Sequence, residues 1–407
     1  MRILYFHQHF SSPRGATGTR SYEMARHLVA RGHNVTMVCG SCNVADTGLD
    51  GAFNRGRRDG DVDGIRVVEL ELPYANSDSF LRRSWVFMLF ALRSVGIALF
   101  EKADLVFATS TPLTAGIPGI AARWLRGVPF VFEVRDLWPE LPRAMGVITN
   151  PIILKAMGIL EWCTYHSAHA VIGLAPGIVE GIVARGVPAS RTFLIPNGCD
   201  LGLFAPDGDK EERPPVVAED DLMLLYAGTH GQANGLDALL DAARLCKEKG
   251  YDRAKFVFVG TGALKPHLVA RARDERLSNC VFLDPVPKSQ LASFMRSADV
   301  GLMILKNVSA FYYGTSPNKF FDYLAAGLPV VCNYPGWVSE MIEDRNCGLT
   351  IPPEKAEALS ETVQSLVGNH ALLSHMGDRS RALAMERFDR QTLAVHFSDL
   401  LEMIGNQ

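Results

Sequence analysis

The sequence has no excess of positive charge. Its 407 residues include 41 lysines and arginines against 44 aspartates and glutamates, which gives a net charge of −3 at pH 7. Because proteins that bind nucleic acid need a basic surface, this balance argues against a nucleic-acid partner. The N-terminus, MRILYFHQHF, also lacks the long apolar core of a signal peptide and instead predicts a first β-strand.

The sequence offers little for a metal or redox centre. The cysteines, 8 in number, are scattered through apolar, strand-like segments, which predicts a reducing cytoplasmic location. Cys39 and Cys42 form a Cys-x-x-Cys, but no second pair accompanies them as a structural zinc site would require. No Asp-x-Asp cluster lies on a plausible metal-binding loop. We therefore expect neither a metal nor a cofactor.

Length and composition predict two globular domains. Apolar residues make up 48% of the chain and charged residues 21%, which is typical of a protein with a substantial core. Since domains commonly hold about 100–200 residues, this length favours two of them. A turn at Pro196 to Asp200 and a charged stretch at Asp207 to Asp221 fall near the middle. We therefore expect one domain over 1–200 and a second over 201–387.

The first half alternates between apolar runs and helical periodicity. Arg2 to His7 predicts a buried strand, and after a glycine-containing loop the apolar residues of 20–31 recur at helical spacing. This order begins a doubly wound parallel sheet, which is an α/β fold. Since the glycines are not spaced Gly-x-Gly-x-x-Gly, a bound dinucleotide is not expected. The Gly- and charge-rich residues 46–63 predict a mobile surface loop.

The segment Phe80 to Phe100, FLRRSWVFMLFALRSVGIALF, is apolar and aromatic but contains arginines. The run between charges is too short to span a bilayer comfortably. One interpretation is an interfacial helix whose arginines meet anionic lipid headgroups while its aromatic side chains enter the membrane. The other interpretation is a core helix that covers the sheet, and the sequence leaves both open. The residues concerned are Arg82, Arg83, Arg93, Trp85, Phe87 and Phe90.

The most informative stretch is SPNKFFDYLAAGLPVV, which starts at Ser316. It predicts a loop, a helix that ends at Gly327 and a short buried strand. Free backbone N–H groups and the positive end of the helix dipole lie at the loop, with Lys319 in the first turn and Asp322 on the same face. This combination suits a diphosphate at the loop amides and Lys319, and a ribose hydroxyl at Asp322.

This stretch resembles the donor-binding signature of the retaining GT-B glycosyltransferases of family 4. That signature usually contains Glu-x7-Glu followed by a Gly, Pro-Val-Val run. Asp322 falls on the second glutamate, the ribose ligand in the family, whereas Gly314 replaces the first, which reaches the donor sugar. The nucleotide half of the signature is therefore retained and the sugar half is altered. The Ser-Pro-Asn-Lys variant is similar to the branch that adds amino or deoxy sugars to bacterial surface polysaccharide.

The resemblance covers nearly the whole chain and implies both fold and activity. The implied GT-B fold has two doubly wound Rossmann-like domains facing a central cleft, with an amphipathic C-terminal helix over 388–407 that crosses back. The implied activity is metal-independent transfer, with retention, of an N-acetylated amino or deoxy sugar from a UDP-sugar. The acceptor would be a saccharide or a lipid-linked saccharide in surface polysaccharide or O-antigen biosynthesis. The enzyme would be cytoplasmic, with peripheral contact of 80–100 with the inner face of the cell membrane.

The resemblance also implies site residues, most of them in loops that follow predicted strands. Many family members have His-Asp where this chain has Arg135-Asp136, for which a structural ion pair is the alternative. Most have a lysine where this chain has Asn234, so His230 is the expected replacement for that contact. The catalytic candidates are Lys319, His230, Arg135 and Asp136, and the acceptor candidates are Trp138 and Glu140. The donor candidates are Gly15, Gly18, Arg20, Gly228, Thr229, Gly262, Val286, Ser316, Pro317, Asn318 and Asp322.

Two other functions remain open from the sequence. A non-hydrolysing nucleotide-sugar 2-epimerase has the same fold, but it needs acid and base carboxylates at the sugar, and Gly314 removes one of them. A catalytically silent nucleotide-sugar-binding module is the other alternative. Release of UDP on addition of an acceptor would distinguish a transferase from an epimerase, and donor hydrolysis would exclude the silent module.

Overall fold

The structure, a computed structural model, describes residues 1–15, 18–42, 45–73 and 78–406. Contacts within the chain divide it into two compact units, each built on one mainly parallel sheet. The first unit comprises Met1–Pro196, Gly314–Ser316 and Gln391–Gln407, and the second comprises Asn197–Tyr313 and Pro317–Arg390.

The first unit contains, in its described residues, an 8-stranded sheet. Its strands are β1 (Arg2–Phe6), β2 (Asn34–Gly40), β3 (Arg57–Val62), β4 (Ile65–Leu70), β5 (Leu105–Thr109), β6 (Phe130–Val134), β7 (Ala170–Gly173) and β8 (Thr192–Leu194). They lie in the order β3-β4-β2-β1-β5-β6-β7-β8. Strands β5, β6 and β7 are buried along their whole length, as expected where helices cover both faces of a parallel sheet. The winding direction changes between β1 and β5, and ligands bind at such a switch point.

Strand β3 corrects the prediction of a loop over 46–63. Its residues RRDGDV pair antiparallel with β4, with Arg58 opposite Glu69. The Nε of Arg58 donates to Oε2 of Glu69 at 2.9 Å. Because β3 is the edge strand and all its residues but Val62 are half-buried or exposed, it needs few apolar residues, and so the sequence shows no strand pattern there.

Two layers of helices cover this sheet. The core on one side contains α1 residues such as Tyr22 and Leu28. On the other side α2 and α5 both pack against α3. The helices of this part of the chain are α1 (Arg20–Ala30), α2 (Phe80–Phe100), α3 (Ile117–Arg126), α4 (Glu140–Ala144), α5 (Pro151–Ser167) and α6 (Pro176–Ala184).

The second unit contains a parallel sheet that has 6 strands in the described residues, ordered β11-β10-β9-β12-β13-β14. These strands are β9 (Leu222–Ala227), β10 (Ala254–Val259), β11 (Cys280–Leu283), β12 (Val300–Met303), β13 (Val330–Cys332) and β14 (Gly348–Thr350). The helices are α7 (Asp237–Glu248), α8 (Lys265–Asp274), α9 (Lys288–Ser297), α10 (Asn318–Ala325), α11 (Trp337–Arg345), α12 (Ala356–Leu366) and α13 (His370–Arg387).

Helix α10 is anchored to the central strand β9. It follows Pro317 and ends before Gly327, whose φ of 71° is the left-handed conformation predicted for this position. The fully buried Tyr323 accepts a hydrogen bond from the Ala227 N–H at 2.9 Å and donates to the Leu225 carbonyl at 3.1 Å. These bonds, from the C-terminal half of α10, hold the helix beside the C-terminal end of β9, where parallel sheets bind ligands.

The chain ends in helix α14 (Arg390–Gly405), which returns to the first unit from Gln391 onward. The ring of Phe397 packs edge-on against Phe107 of β5, with the centroids 4.9 Å apart. The C-terminal helix predicted over 388–407 is therefore present and packs on the first sheet.

Candidate active site

A ring of hydrogen bonds surrounds the Lys319 ammonium at the start of α10. Its Nζ donates to Oη of Tyr226 at 2.8 Å and to Oδ1 of Asn234 at 3.2 Å. Tyr226 Oη and Asn234 Nδ2 both donate to the carbonyl of Thr229, each at 2.8 Å. The ammonium also lies 4.0 Å from the centroid of the Tyr226 ring, within cation–π distance. Lys319 is thus fixed at the sheet edge that parallel folds use for ligands.

Gly228 keeps one side of this ammonium open. Its φ is 147°, a conformation that side chains rarely adopt. A Cβ at Gly228 would lie 3.2 Å from Nζ of Lys319 and would therefore occupy the space beside the charge. Thr229, the next residue, is exposed. The predicted glycine loop therefore does lie next to the predicted lysine.

Lys319 lacks a counter-ion in the part of the chain that the structure describes, where its bonding partners are neutral oxygens. Desolvation by burial lowers the pKa of Lys319 to about 7, because a buried ammonium loses hydration. An anion beside the ammonium would reverse this shift and favour the charged form. The geometry and the charge therefore suit a phosphate group.

His230 does not supply the charge expected of it. The ring is fully buried among Tyr226, Phe258 and Phe282, and neither ring nitrogen has a hydrogen-bond partner in the described residues. Burial, together with Lys265, lowers the pKa of His230 to about 4, so the ring is neutral at pH 7. The expectation that it replaces a lysine contact is corrected: it fills an aromatic core.

Gly262 is required by packing rather than by a ligand. Its φ is 159°, and a Cβ there would overlap the backbone of His230. The backbone N–H of His230 donates to the Thr261 carbonyl at 2.9 Å. The Gly-x-Gly after β10 therefore lets two backbone segments approach each other, which explains the glycine without a nucleotide. Val286 is half-buried in the loop between β11 and α9.

Asp322, the predicted ribose ligand, is buried and has one oxygen without a hydrogen bond. The residue is 6% exposed, and its Oδ1 has no hydrogen-bond partner among the described residues. Nζ of Lys288, the first residue of α9, lies 3.6 Å from that oxygen. Because buried carboxylate oxygens are normally hydrogen-bonded, Oδ1 retains the capacity to accept a bond from a ligand hydroxyl. Ser316 and Pro317 are half-buried and Asn318 is exposed, directly before or at the first turn of this helix.

In the first unit, Arg20 has a structural role in place of the predicted donor contact. Its guanidinium is buried and binds Oε2 of Glu133 at 2.8 and 3.0 Å. It also donates to the carbonyls of Ile195 and Pro196 at 2.9 and 2.7 Å. Burial opposes ionisation of Glu133, but Arg20 and Arg135 hold its pKa below the usual value. The predicted phosphate contact of Arg20 is therefore corrected to a clamp that joins α1, β6 and the segment after β8.

The glycines near Arg20 lie in the loop that precedes α1. Gly15 is half-buried, and a Cβ there would contact the Asp46 backbone N at 2.8 Å. Gly18 is exposed. Close packing against 45–46 therefore accounts for Gly15, whereas the donor contact predicted for both glycines stays a prediction.

Arg135 and Asp136 follow β6 and point to different partners. Arg135 donates to Oγ1 of Thr109 at 2.8 Å and to Oγ of Ser21 at 2.9 Å, and its Nε lies 3.4 Å from Oε1 of Glu133. Asp136 accepts from Oγ1 of Thr111 at 3.3 Å, and burial raises the pKa of its carboxyl group. The ion pair is thus Arg135 with Glu133, and the alternative of an Arg135–Asp136 pair is wrong. Asp136 remains available to accept a proton or a hydroxyl.

The acceptor candidates Trp138 and Glu140 lie further along the same loop. Trp138 is half-buried, and its Nε1 has no hydrogen-bond partner in the described residues. Glu140 is exposed but forms an ion pair with Arg185, which also binds Oε2 of Glu161 at 2.7 Å. The Nε1–H of Trp138 is therefore buried and unsatisfied in the described residues, whereas the carboxylate of Glu140 already has a protein partner.

Comparison with known families identifies the class of the enzyme. Residues 15–198 match the Glycosyl transferase 4-like domain, and residues 221–369 match the Glycosyl transferases group 1 domain. Together the two matches cover most of both units. The chain belongs to the GT-B glycosyltransferases. It is therefore an enzyme that transfers a sugar, and the GT-B fold expected from the resemblance is confirmed.

Similar proteins extend over the whole glycosyltransferase chain. The putative colanic acid biosynthesis glycosyl transferase WcaI of Escherichia coli is 20% identical, over 98% of this chain and 98% of that protein. The sucrose-phosphate synthase structure from Thermosynechococcus elongatus is 17% identical, covers 99% of this chain and 98% of its own, and gives a TM-score of 0.76. Anabaena HepE, solved in complex with UDP and glucose, is 16% identical, covers 99% and 100%, and gives a TM-score of 0.66.

The sequence did not indicate Tyr226 or Lys288 of this glycosyltransferase as site residues. Tyr226 lies 93 positions from Lys319 and inside an apolar strand, where a tyrosine predicts only a buried side chain. For Asn234, the sequence showed only that this residue replaces a lysine of the resembling family. A polar oxygen near the C-terminal end of a strand in a doubly wound fold is the signal that could have identified Tyr226.

Proposed function

We propose that this glycosyltransferase uses a UDP-sugar and retains the configuration of the anomeric carbon. The observation that carries the proposal is the Lys319 ammonium, which has neutral partners and an open side at Gly228. A diphosphate leaving group supplies the missing counter-charge. UDP is favoured because HepE, a protein of the same fold, was solved with UDP and glucose. Retention rests on the resemblance of the 316–331 stretch to family 4.

In this proposal, the second unit binds the leaving diphosphate. As the bond to the anomeric carbon breaks, negative charge grows on the diphosphate, and a fixed ammonium stabilises it more than the ground state. The positive end of the α10 helix dipole acts in the same direction. Asp322 would accept a ribose hydroxyl through Oδ1, next to Lys288. These groups carry out leaving-group stabilisation with no step that requires a metal.

In this proposal, the first unit binds the acceptor at the loop that follows β6. In this proposal the Asp136 carboxyl group, whose pKa burial raises, accepts a hydrogen bond from the acceptor hydroxyl, and the Nε1–H of Trp138, which has no partner in the described residues, donates to the acceptor. We propose a saccharide or lipid-linked saccharide of a surface polysaccharide as acceptor, because WcaI is named for colanic acid biosynthesis. We propose that the transferred sugar is an N-acetylated amino or deoxy sugar, because the Ser-Pro-Asn-Lys sequence of this chain resembles the family branch that adds such sugars.

A panel of nucleotide-sugars tests the donor. Thermal shifts with UDP-, GDP- and TDP-sugars should show stabilisation by UDP-sugars, and acceptor addition should then release UDP. NMR of the anomeric proton in the product tests retention. Stabilisation by GDP- or TDP-sugars alone would contradict UDP, and an inverted product would contradict retention. Both domain matches are to glycosyltransferases, which leaves the epimerase alternative without support.

We also propose peripheral contact with an anionic membrane through a basic-aromatic surface formed by α2, α3 and α5. Helix α2 buries one stripe against the sheet, which includes Val86, Phe90 and Ala98. Phe90, expected from the sequence to enter a membrane, is therefore core. The opposite face of α2 exposes large apolar side chains, and so do the outer faces of α3 and α5. The most exposed are Leu81, Trp85, Leu92, Phe100, Trp124, Leu125, Ile152, Ile159 and Trp162.

The charges on these helices favour anionic lipid. Helices α2 and α3 contain arginines and no acidic residue, and the one acid of α5, Glu161, is buried and bound to Arg185. Leu81–Phe100 has the length and composition of a membrane span, which is weak evidence by itself. Because the helix also packs on the sheet, the geometry favours an interfacial position over a spanning one. Basic residues near exposed tryptophans are typical of surfaces that bind anionic headgroups.

A further inference from the structure

Lys319 is the one cation that the proposal places beside the diphosphate, whereas most members of the resembling family have a further lysine there. Asn234 stands at the position of the second lysine. The nearby Lys265 cannot replace it, because its Nζ donates to the carbonyls of Gly260 and Leu283 at 2.9 and 2.8 Å and to Asp284 at 2.8 Å. Lys319 therefore has to meet the diphosphate as a single, well-placed charge.

Tyr226 and Asn234 present acceptors to this charge in a fixed direction. Because Tyr226 donates its own proton to the Thr229 carbonyl, a lone pair of its oxygen faces Nζ of Lys319. Asn234 also contacts both groups: its Nδ2 donates to the Thr229 carbonyl and its Oδ1 accepts from Nζ of Lys319. Rotating the amide by half a turn would exchange Nδ2 and Oδ1 and would lose both hydrogen bonds. One backbone carbonyl thus orients both side chains.

An ammonium has three donors, and this ring uses two of them. The remaining N–H has its open side at Gly228, where a Cβ would lie 3.2 Å from Nζ. The titratable groups that face Lys319 are Tyr226 on β9 and His230 in the following loop. Burial raises the pKa of Tyr226 well above its usual value and lowers that of His230, so both are neutral around pH 7. Neither group therefore places a charge beside Lys319, whose pKa is lowered by burial.

We propose that Tyr226 and Asn234 are positioning residues, which hold the Lys319 ammonium on two donors and direct the third at the donor diphosphate, in place of a second lysine. The inference rests on the proposed function and names how that same site recognises a nucleoside diphosphate. It makes nucleotide affinity depend on the protonation of one lysine. Affinity is then full below the pKa of free Lys319 and is lost as the pH rises above it, since the bound anion needs the charged form.

Calorimetry with UDP at pH 7 to 9 tests the positioning role. The terminal phosphate of UDP titrates near pH 6, below this window. Wild-type affinity should fall across the window, because the pKa of Lys319 is about 7. Tyr226→Phe keeps the ring but removes the oxygen, and Asn234→Ala removes the amide. Each should weaken UDP binding about tenfold at pH 8, because loss of an acceptor lowers the lysine pKa by about one unit.

Two further variants separate positioning from general loss of structure. Asn234→Asp places a carboxylate beside the ammonium, so the decline of affinity should move to higher pH, opposite to Tyr226→Phe. Tyr323→Phe removes two buried hydrogen bonds from the same helix and strand without touching Lys319. It should lower the melting temperature and leave the pH profile of UDP binding unchanged.

Opposite shifts for Tyr226→Phe and Asn234→Asp would support the inference. If Tyr226→Phe and Asn234→Ala bind UDP with the affinity and pH profile of the wild type, the inference is wrong, while the proposed function remains intact. If the pH profile of UDP binding shifts as much in Tyr323→Phe as in Tyr226→Phe, the inference is also wrong. Absence of binding of UDP, GDP and TDP to the wild type at every pH would overturn the proposed function as well.

Discussion

At the scale of single residues, Lys319 is the candidate for the charge that stabilises the leaving diphosphate. Replacing it with methionine keeps the apolar stem and removes the charge. We expect turnover to fall about 100-fold, because the lost contact strengthens as the leaving group gains charge. The melting temperature should not fall, since Lys319 has neutral partners and its removal leaves no carboxylate unpaired in the described residues. Steady-state kinetics beside a melting curve measures both.

The exposed Lys306 gives a matched control for this variant. Lys306→Met loses the same charge from the same unit and should leave turnover unchanged. Turnover of Lys319→Met within about threefold of wild type would contradict the assignment of the leaving-group charge.

Asp322 offers a second test at the scale of one residue, directed at ribose. Asp322→Asn removes the charge from Oδ1, which lies 3.6 Å from Lys288. A hydrogen bond to a charged group contributes about 1.5–3 kcal/mol, so UDP should bind at least tenfold more weakly. Dideoxy-UDP, which lacks the ribose hydroxyls, should bind the wild type and the variant equally. If both proteins discriminate UDP from dideoxy-UDP to the same extent, Asp322 does not bind ribose.

At the scale of secondary-structure elements, the Arg20–Glu133 clamp joins segments that are distant in sequence. Removing one partner of a buried ion pair typically costs about 3–5 kcal/mol, and without Arg20 the buried Glu133 retains Arg135 as its cationic partner in the described residues. Arg20→Met should therefore unfold at markedly lower denaturant concentration, while UDP affinity of the folded protein stays at the wild-type value. Adding Glu133→Gln should recover part of the loss. A weaker UDP affinity at unchanged stability would restore the donor role that the sequence predicted for Arg20.

The elements show what sequence patterns can and cannot predict here. The buried parallel strands β1 and β13 were predicted because they are continuous apolar runs, and α10 because Pro317 and Gly327 mark its ends. Strand β3 was missed because an exposed edge strand needs neither pattern. Helix α2 fits both interpretations that the sequence left open, since one stripe is core and the opposite face is exposed.

The candidate site was less predictable than the fold, for a physical reason. Lys319 was predicted from a local loop-and-helix pattern, which is encoded within a few residues. Its partner Tyr226 and the true partner of Arg20 depend on strand order, which brings together residues far apart in the chain. His230 was misassigned because a sequence cannot show that the aromatic residues of β9, β10 and β11 enclose its ring.

The distribution of charge is a property of the whole molecule. The net charge is −3, yet α2, α3 and α5 have no exposed acidic residue. If acidic and basic residues were distributed evenly over the protein, a surface of this size would contain both. In the membrane proposal, this separation of charge would orient the molecule in the field of an anionic membrane, whose potential acts within about 10 Å at ordinary ionic strength.

Removal of exposed aromatic groups from this basic-aromatic surface tests the membrane proposal. Trp85, Trp124 and Trp162 are 65%, 68% and 56% exposed. Replacing Trp85 and Trp162 with serine should therefore cost little stability, whereas Trp124 is retained because its Nε1 donates to Ser167 at 2.9 Å. The double variant should sediment less with anionic liposomes and lose activity on a lipid-linked acceptor, while its slow donor hydrolysis and melting temperature stay at wild-type values. Phe90→Ala, a core change on the same helix, should lower the melting temperature and all activities together. If the wild type does not sediment with anionic liposomes, or if the double variant melts early, this surface does not bind a membrane.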